Sequence, residues 1–119
     1  MDAPETDYED RRITSTSTSI VIKGYYFPMG RAKVVSYDQI RGVAELNLGR
    51  LSGKGRIWGT ANPRVWANLD PRRPHKSTGF VLDIGKSVRP FVTPDDPAAF
   101  RQVLERHGLS IMPGGSELI

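Results

Sequence analysis

The sequence predicts a mainly β protein, with about seven short antiparallel strands followed by one C-terminal α-helix. Short runs of β-branched and aromatic residues, broken by Gly, Pro and Asn, are typical of antiparallel sheets. One helix signal, with a capping residue, a proline start and an apolar stripe, comes near the end of the chain. A length of 119 residues with 38% hydrophobic content is enough for one domain with a modest core.

Composition divides the chain into three parts. Residues 1–12 hold five acids and two bases without apolar periodicity, so we expect a disordered acidic N-terminal lead. Residues 13–108 form the predicted domain. Residues 109–119 contain Pro113-Gly114-Gly115 and are interpreted as a C-terminal tail. The sequence leaves open whether Leu109, Ile111 and Met112 dock on the domain.

The first strand is predicted at Thr14–Lys23, where alternating Thr and Ser lead into Ile20-Val21-Ile22. Gly49–Gly55 is predicted to be a flexible loop. Because Pro90 has no N–H to donate, we expect the last strand to lie at a sheet edge or to bulge there. The six further predicted strands are Arg31–Ser36, Gly42–Asn47, Arg56–Gly59, Arg64–Leu69, Gly79–Ile84 and Val88–Val92.

The helix is predicted over Pro97–His107. Asp96 is a good N-cap, and Pro97 occupies the first helical position, where its missing N–H costs nothing. Gly108 supplies the C-terminal stop. The helical spacing places three apolar side chains on one face, and we expect this face to close one end of the sheets: Phe100, Val103 and Leu104.

The composition argues against most kinds of catalytic centre. The chain has no Cys, which excludes thiolate nucleophiles and Cys-ligated metal sites, and it has only two His, His75 and His107. The dipole of the C-terminal helix accounts for His107, and no arrangement of Ser, His and an acid suggests a nucleophile. We therefore expect a non-enzymatic protein with no catalytic residue, metal or cofactor.

The sequence also bears on location. No apolar run approaches the ~20 residues that cross a bilayer, and the acidic start lacks the pattern of a signal peptide. We expect a soluble cytoplasmic protein, with peripheral contact at the inner face of the membrane as an option.

Positive charge is concentrated in the middle of the chain. From Arg50 to Arg89 there are nine bases against two acids. Such a stretch attracts phosphates, anionic lipid or acidic protein surfaces, although solvated strand and loop residues would produce the same pattern. The candidate anion-binding or partner-binding residues are Arg56, Arg64, Arg72, Arg73, Lys76, Lys86 and Arg89.

Trp58 and Trp66 lie on neighbouring predicted strands, each two residues after an arginine, so that Arg and Trp share one strand face. An arginine stacked on an indole would present its guanidinium to a phosphate or a base. Trp58 and Trp66 are therefore candidate stacking residues. The alternative is that both indoles are anchors in the core or between sheets.

Several segments share a pattern with one known group of proteins. They are Ser36-Tyr37-Asp38-Gln39-Ile40, Arg56-Ile57-Trp58-Gly59, Arg64 to Asp70, Phe80 to Lys86, Val88-Arg89-Pro90, and Thr93 to Pro97 with Phe100. Over about residues 13–107 the chain resembles the bacterial pleckstrin-homology-like (PH-like) families. The resemblance implies a β-barrel of two near-orthogonal sheets whose open corner is closed by the C-terminal helix, and a non-catalytic role.

Some eukaryotic PH domains bind phosphoinositides through basic residues in the loop between their first two strands. In this chain the corresponding loop is expected at Gly24–Gly30, which holds Tyr25, Tyr26, Phe27 and Met29, with Lys23 and Arg31 only at its edges. Because the chain departs from the family's pattern here, no phosphoinositide site is assigned to this loop.

Two function classes remain open. The leading hypothesis is a PH-like interaction module that binds a protein partner or an anionic lipid surface weakly and transiently, through its basic residues or a sheet edge. The alternative is a nucleic-acid-binding OB-type barrel that uses the basic and Trp residues. OB barrels usually place a helix between their third and fourth strands, where this chain has Leu51-Ser52-Gly53-Lys54-Gly55. The C-terminal position of the helix therefore favours the first hypothesis.

Overall fold

The computed structural model describes residues 5–26, 29–47, 65–68, 76 and 78–113. Within these residues the chain is mainly β, as predicted, with nine strands instead of about seven, a 3-10 turn at Tyr37–Gln39 and one α-helix, α1, at Pro97–Arg106. The strands are β1 Thr6–Glu9, β2 Ile13–Thr16, β3 Ser19–Tyr26, β4 Arg31–Ser36, β5 Gly42–Asn47, β6 Val65–Ala67, β7 Thr78–Asp83, β8 Arg89–Val92 and β9 Ile111–Pro113.

The described strands form two sheets rather than one closed barrel. The first sheet is an antiparallel meander in the order β1-β2-β3-β4. The second has the order β6-β8-β7-β5-β9, with β5–β7 and β7–β8 antiparallel and β5–β9 and β6–β8 parallel. The chain therefore completes the first sheet before it enters the second.

One apolar cluster brings residues of both sheets and the helix together. Alternation along β3 and β7 directs every second side chain into this cluster, because successive side chains of a strand point to opposite faces. Its fully buried members include Ile13, Ile20, Ile22, Val35, Phe80, Leu82, Val92, Phe100 and Leu104.

The C-terminal helix follows its prediction closely. The Asp96 side chain accepts a hydrogen bond from the Ala99 N–H at 3.1 Å, and Pro97 is the first helical residue. Phe100, Val103 and Leu104 are buried, which confirms that this apolar face packs against the sheets. At ten residues α1 is too short to cross a membrane, and the described residues contain no other α-helix.

The N-terminal segment differs from the disordered lead expected over residues 1–12. Residues 6–9 form β1, and Tyr8 is only 8% exposed. The Tyr8 and Phe100 rings meet edge to face with their centroids 5.5 Å apart, and the Tyr8 hydroxyl accepts a hydrogen bond from the Asp96 N–H at 3.0 Å. An acidic composition alone did not reveal these contacts, because they are made with residues about 90 positions away.

The predicted first strand, Thr14–Lys23, is divided into β2 and β3 by a turn at Ser17-Thr18. The Thr16 hydroxyl accepts hydrogen bonds from the Thr18 N–H at 3.3 Å and the Ser19 N–H at 3.1 Å. Such side-chain bonds compete with the strand ladder and favour a turn. The prediction of a single strand was wrong for this reason.

In the second sheet one further expectation fails, and a question that the sequence left open is answered. β8 lies between β6 and β7 rather than at an edge, although its ladder with β7 pairs only Phe91 and Val92 and leaves Pro90 outside. β9, in the segment interpreted as a tail, pairs in parallel with β5. The predicted strand Arg56–Gly59 and the loop Gly49–Gly55 lie outside the described residues.

Candidate binding groove

A groove of about 480 Å³ opens where the two sheets meet. Its aromatic side chains are Tyr25 and Tyr26 of β3 and Trp66 of β6. Lys33 of β4 lines it as well, and Lys86-Ser87-Val88, the segment before β8, completes it. We call this feature the aromatic groove.

The aromatic pair arises from an irregularity in β3. The pairing of β3 with β4 shifts between Ile22 and Tyr26, and Gly24 adopts a φ of 65°, a left-handed conformation that glycine tolerates without strain. Tyr25 is buried at 5% exposure, whereas Tyr26 is 46% exposed. The two rings meet edge to face, with centroids 5.0 Å apart and planes at 86°. Tyr25 and Tyr26 thus belong to a strand instead of the expected loop Gly24–Gly30.

Trp66 joins the two sheets. Its indole N–H donates to the Tyr25 carbonyl oxygen at 2.6 Å, and two residues later the Asn68 side chain donates to the Lys23 carbonyl oxygen at 3.0 Å. The ring is partly buried against the core and also lines the groove. Trp66 is therefore an inter-sheet anchor whose remaining surface is available to a ligand.

Two lysines supply the charge of the groove. The Lys33 ammonium donates to the Tyr26 hydroxyl at 3.2 Å and lies 5.4 Å and 5.5 Å from the centroids of the Tyr25 and Tyr26 rings. Lys86 is exposed in the turn after Gly85, where the Asp83 side chain accepts the Gly85 N–H at 3.0 Å. Within the described residues, no carboxylate forms an ion pair with Lys33 or Lys86.

The buried Tyr25 does not offset this positive charge. Burial, and secondarily the neighbouring Tyr26, raises the pKa of Tyr25 from 10.0 to about 12. The Tyr25 phenol is therefore neutral near pH 7, and the groove keeps the charge of its two ammonium groups.

The structure separates the predicted basic residues. Lys86 lines the aromatic groove, whereas Lys76 is 11% exposed, donates to the Thr93 carbonyl oxygen at 2.6 Å and pairs with Asp95 at 2.8 Å. Arg89 lies 3.7 Å from the Asp83 carboxylate. Lys76 thus supports the segment before α1. The other candidates, Arg56, Arg64, Arg72, Arg73 and Trp58, lie outside the described residues.

Most residues that line the groove were not among the candidates predicted from the sequence. Lys33 was not among the candidate residues because it lies outside the basic middle of the chain. Its position two residues before buried Val35 places it on the inward face of β4, and this alternation was the available signal. The consecutive tyrosines were a second signal, but the loop expectation for Gly24–Gly30 obscured it.

A second cavity, of about 580 Å³, lies between α1, β5 and β9. Its central charges neutralise each other, since Arg101 donates two hydrogen bonds to the Glu45 carboxylate, at 2.7 Å and 2.8 Å.

The His107 side chain lies at a second cluster of polar groups. Its ring stacks on the Tyr37 ring with centroids 3.6 Å apart, and its Nε2 lies 3.2 Å from Asp7 Oδ2. The described residues contain no cluster of three or more metal-ligating side chains. Both features are explained as contacts within the fold.

Comparison of the chain with protein-family models, curated proteins and solved structures finds no match.

Proposed function

We propose that this protein is a non-enzymatic PH-like interaction module that holds carboxylate or phosphate groups of a partner in the aromatic groove. The observation that carries the proposal is the presence of two ammonium groups, Lys33 and Lys86, beside exposed aromatic surface. Among the described residues, those that line the groove include no carboxylate and no imidazole. Such a lining suits capture of an anion and provides no acid–base pair.

Charge alone supports only weak binding. An exposed ion pair contributes about 1 kcal/mol or less, so two lysines supply at most about 2 kcal/mol. A millimolar Kd requires about 4 kcal/mol. Apolar contact has to supply the rest, and burial of roughly 100 Å² on Tyr26 and Val88 would add about 2.5 kcal/mol. The expected complex is therefore weak and transient.

The PH-like β-barrel is part of this proposal. It is supported by the order of elements, in which eight of the nine described strands precede one amphipathic helix that packs on the common core, and only the short β9 follows it. The parallel pairs β5–β9 and β6–β8 depart from a purely antiparallel arrangement. A cytoplasmic location with contact at the inner membrane face belongs to the same proposal, because a weak anion-binding surface is suited to that interface.

The test compares two double variants that remove equal charge. Lys33→Ala/Lys86→Ala removes the two cations that the described residues contribute to the groove, and Arg11→Ala/Arg106→Ala removes two exposed cations that are not among its described lining residues. Binding of a fluorescein-labelled oligoglutamate peptide, of phosphatidylserine vesicles and of a twelve-residue oligothymidylate is measured at two salt concentrations. We expect salt-sensitive binding of the peptide or the vesicles that only the lysine variant loses.

Equal binding of all three probes by the two variants would overturn the proposal. Binding confined to the oligonucleotide would favour the nucleic-acid alternative instead. Circular dichroism of both variants checks that the fold is retained.

A further inference from the structure

The aromatic groove presents charge and apolar surface side by side. Lys33 and Lys86 provide the charge. Tyr26 and Val88, at 46% and 41% exposure, provide the apolar surface. A ligand that uses the whole groove has to carry an anionic group and an apolar group a few ångströms apart.

We infer that the partner is a protein segment bound in extended form, with an acidic residue and a large apolar residue two positions apart. This inference rests on the proposed function and names the partner of the same site. In an extended chain, side chains at positions i and i+2 point to the same side and are separated by about 7 Å. One can then contact the two ammonium groups while the other packs on Tyr26 and Val88.

The described charge pattern favours a peptide over the other anions. Within the part of the chain that the structure describes, the lining residues provide two cations, which match one or two carboxylates. A nucleic-acid strand carries a phosphate on every nucleotide and is held by a track of cations. A lipid headgroup brings negative charge, but its apolar chains remain in the bilayer, so Tyr26 and Val88 would be left without an apolar partner.

The Lys33 ammonium group is already held in place, and this supports an extended peptide as the ligand. Its ammonium group is held by the Tyr26 hydroxyl and lies over two tyrosine rings, so one cation is already fixed beside the apolar surface. An ammonium group has three donors. The bond to Tyr26 leaves two of them to meet a carboxylate without a change in the Lys33 side chain.

The experiment uses capped heptapeptides in NMR titrations that follow the amides of Tyr26, Ser87 and Val88. The first peptide is Gly-Ser-Glu-Ser-Phe-Ser-Gly. A permuted peptide places Glu and Phe next to each other, and two further peptides replace Glu by Gln or Phe by Ser. Phosphatidylserine vesicles and oligothymidylate are the competing probes.

We expect the first peptide to bind at least about threefold more tightly than the permuted one, because adjacent side chains of an extended segment face opposite sides. Replacing Glu should weaken binding about threefold to tenfold, and replacing Phe should weaken it by tenfold or more, up to about seventyfold. Lys33→Ala/Lys86→Ala should weaken it about tenfold, whereas Arg11→Ala/Arg106→Ala leaves it unchanged. Val88→Ser should reduce the preference for Phe over Ser, because Tyr26 remains, while the preference for Glu over Gln is unchanged.

Several outcomes separate this inference from the proposed function. If the peptides with Phe and with Ser bind equally, or if the permuted peptide binds as well as the first, the inference is wrong and anion binding at the groove stands. The inference is also wrong if vesicles or oligothymidylate bind these residues more tightly than the peptide does. If no probe shifts the groove amides in a lysine-dependent way, the proposed function fails as well.

Discussion

Asp10 is the residue that ties the N-terminal strand to the helix. Its carboxylate accepts hydrogen bonds from the Arg12 N–H at 2.7 Å and the Ile13 N–H at 2.9 Å. The other carboxylate oxygen accepts the Tyr8 hydroxyl at 2.5 Å and the Asp95 N–H at 2.9 Å. One side chain therefore orders the β1–β2 turn and fixes the start of α1 against β1.

Asp10→Asn should lower the free energy of unfolding by about 1–3 kcal/mol, because the amide NH2 would face the Asp95 N–H, where the carboxylate now accepts. Urea denaturation measures the change. Asp38→Asn is the matched control: Asp38 is exposed in the 3-10 turn, and we expect a change within about 0.5 kcal/mol. Equal effects of the two substitutions would contradict the role assigned to Asp10.

Two buried tyrosines, Tyr8 and Tyr25, and the partly buried Tyr37 make stability sensitive to alkaline pH. Burial raises the pKa of all three phenols, and that of Tyr25 to about 12. For Tyr8, the hydrogen bond to Asp10 raises the pKa further. In the unfolded chain each phenol ionises near its ordinary value of 10.0. The unfolded state therefore loses protons first, and the stability that is complete below pH ~10 declines as the pH rises toward the folded values.

We therefore expect the free energy of unfolding to fall between about pH 10 and pH 12, with Tyr25 responsible for about 1 kcal/mol of the loss at pH 11. Urea titrations at pH 8, 10 and 11 measure it. Tyr25→Phe keeps the ring and removes the ionisable group, so the decline should be shallower in this variant. An identical decline with and without the Tyr25 hydroxyl would contradict the assignment.

At the scale of the elements, β7 and β8 approach each other closely at Gly79. A Cβ built on Gly79 would lie 2.5 Å from the Phe91 ring, which is buried, whereas a Cβ on Gly42 of β5 meets nothing within 4 Å. The absence of a side chain at Gly79 thus makes room for a core aromatic ring. Gly42 has no comparable packing constraint.

Gly79→Ala should destabilise the protein by about 1–3 kcal/mol, because Phe91 has to leave its packed position. Gly42→Ala is the control in the neighbouring strand, and we expect it to be neutral or to stabilise by up to about 1 kcal/mol through lower entropy of the unfolded chain. Thermal or urea unfolding compares the two. A destabilisation by Gly42→Ala as large as that by Gly79→Ala would contradict this account of the packing.

The elements differ in how far local sequence specifies them. Asp96 and Pro97 define the helix start through contacts within a few residues, so the prediction of Pro97–His107 agrees with α1 to within one residue. β4 and β5 agree with their predictions for a similar reason, since short runs suited to strands and bounded by turn residues predict both. β9 pairs with the distant β5, and β1, although it pairs with the neighbouring β2, packs on the distant α1 through Tyr8, so no local pattern specified those contacts.

The groove could be predicted only in part. Trp66 and Lys86 were among the candidates, because an aromatic residue and a basic turn are visible in the sequence. The contribution of Tyr25, Tyr26 and Lys33 depends on the shift in β3–β4 pairing near Gly24 and on the contact of β3 with β6. Such tertiary geometry also explains why Lys76, basic like its neighbours, is instead held by Asp95.

At the scale of the whole molecule, the candidate site lies on the seam between the two sheets. β3 and β4 belong to the first sheet, and β6 and β8 belong to the second. The described hydrogen bonds across this seam include those from Trp66 to Tyr25 and from Asn68 to Lys23. A ligand that contacts both Lys33 and Lys86 bridges the same two sheets, so binding and sheet association should stabilise each other.

Trp66→Phe tests this coupling, since it keeps an aromatic ring in the groove and removes the N–H that donates to Tyr25. We expect the free energy of unfolding to fall by about 1–2 kcal/mol, because the Tyr25 carbonyl oxygen loses its donor. Peptide affinity should fall several-fold although Lys33 and Lys86 remain. At a peptide concentration of ten times Kd, ligand should stabilise the wild type by about 1.4 kcal/mol, as mass action requires. Urea unfolding with and without peptide measures both effects, and unchanged peptide affinity in a destabilised Trp66→Phe variant would show that the groove forms independently of the seam.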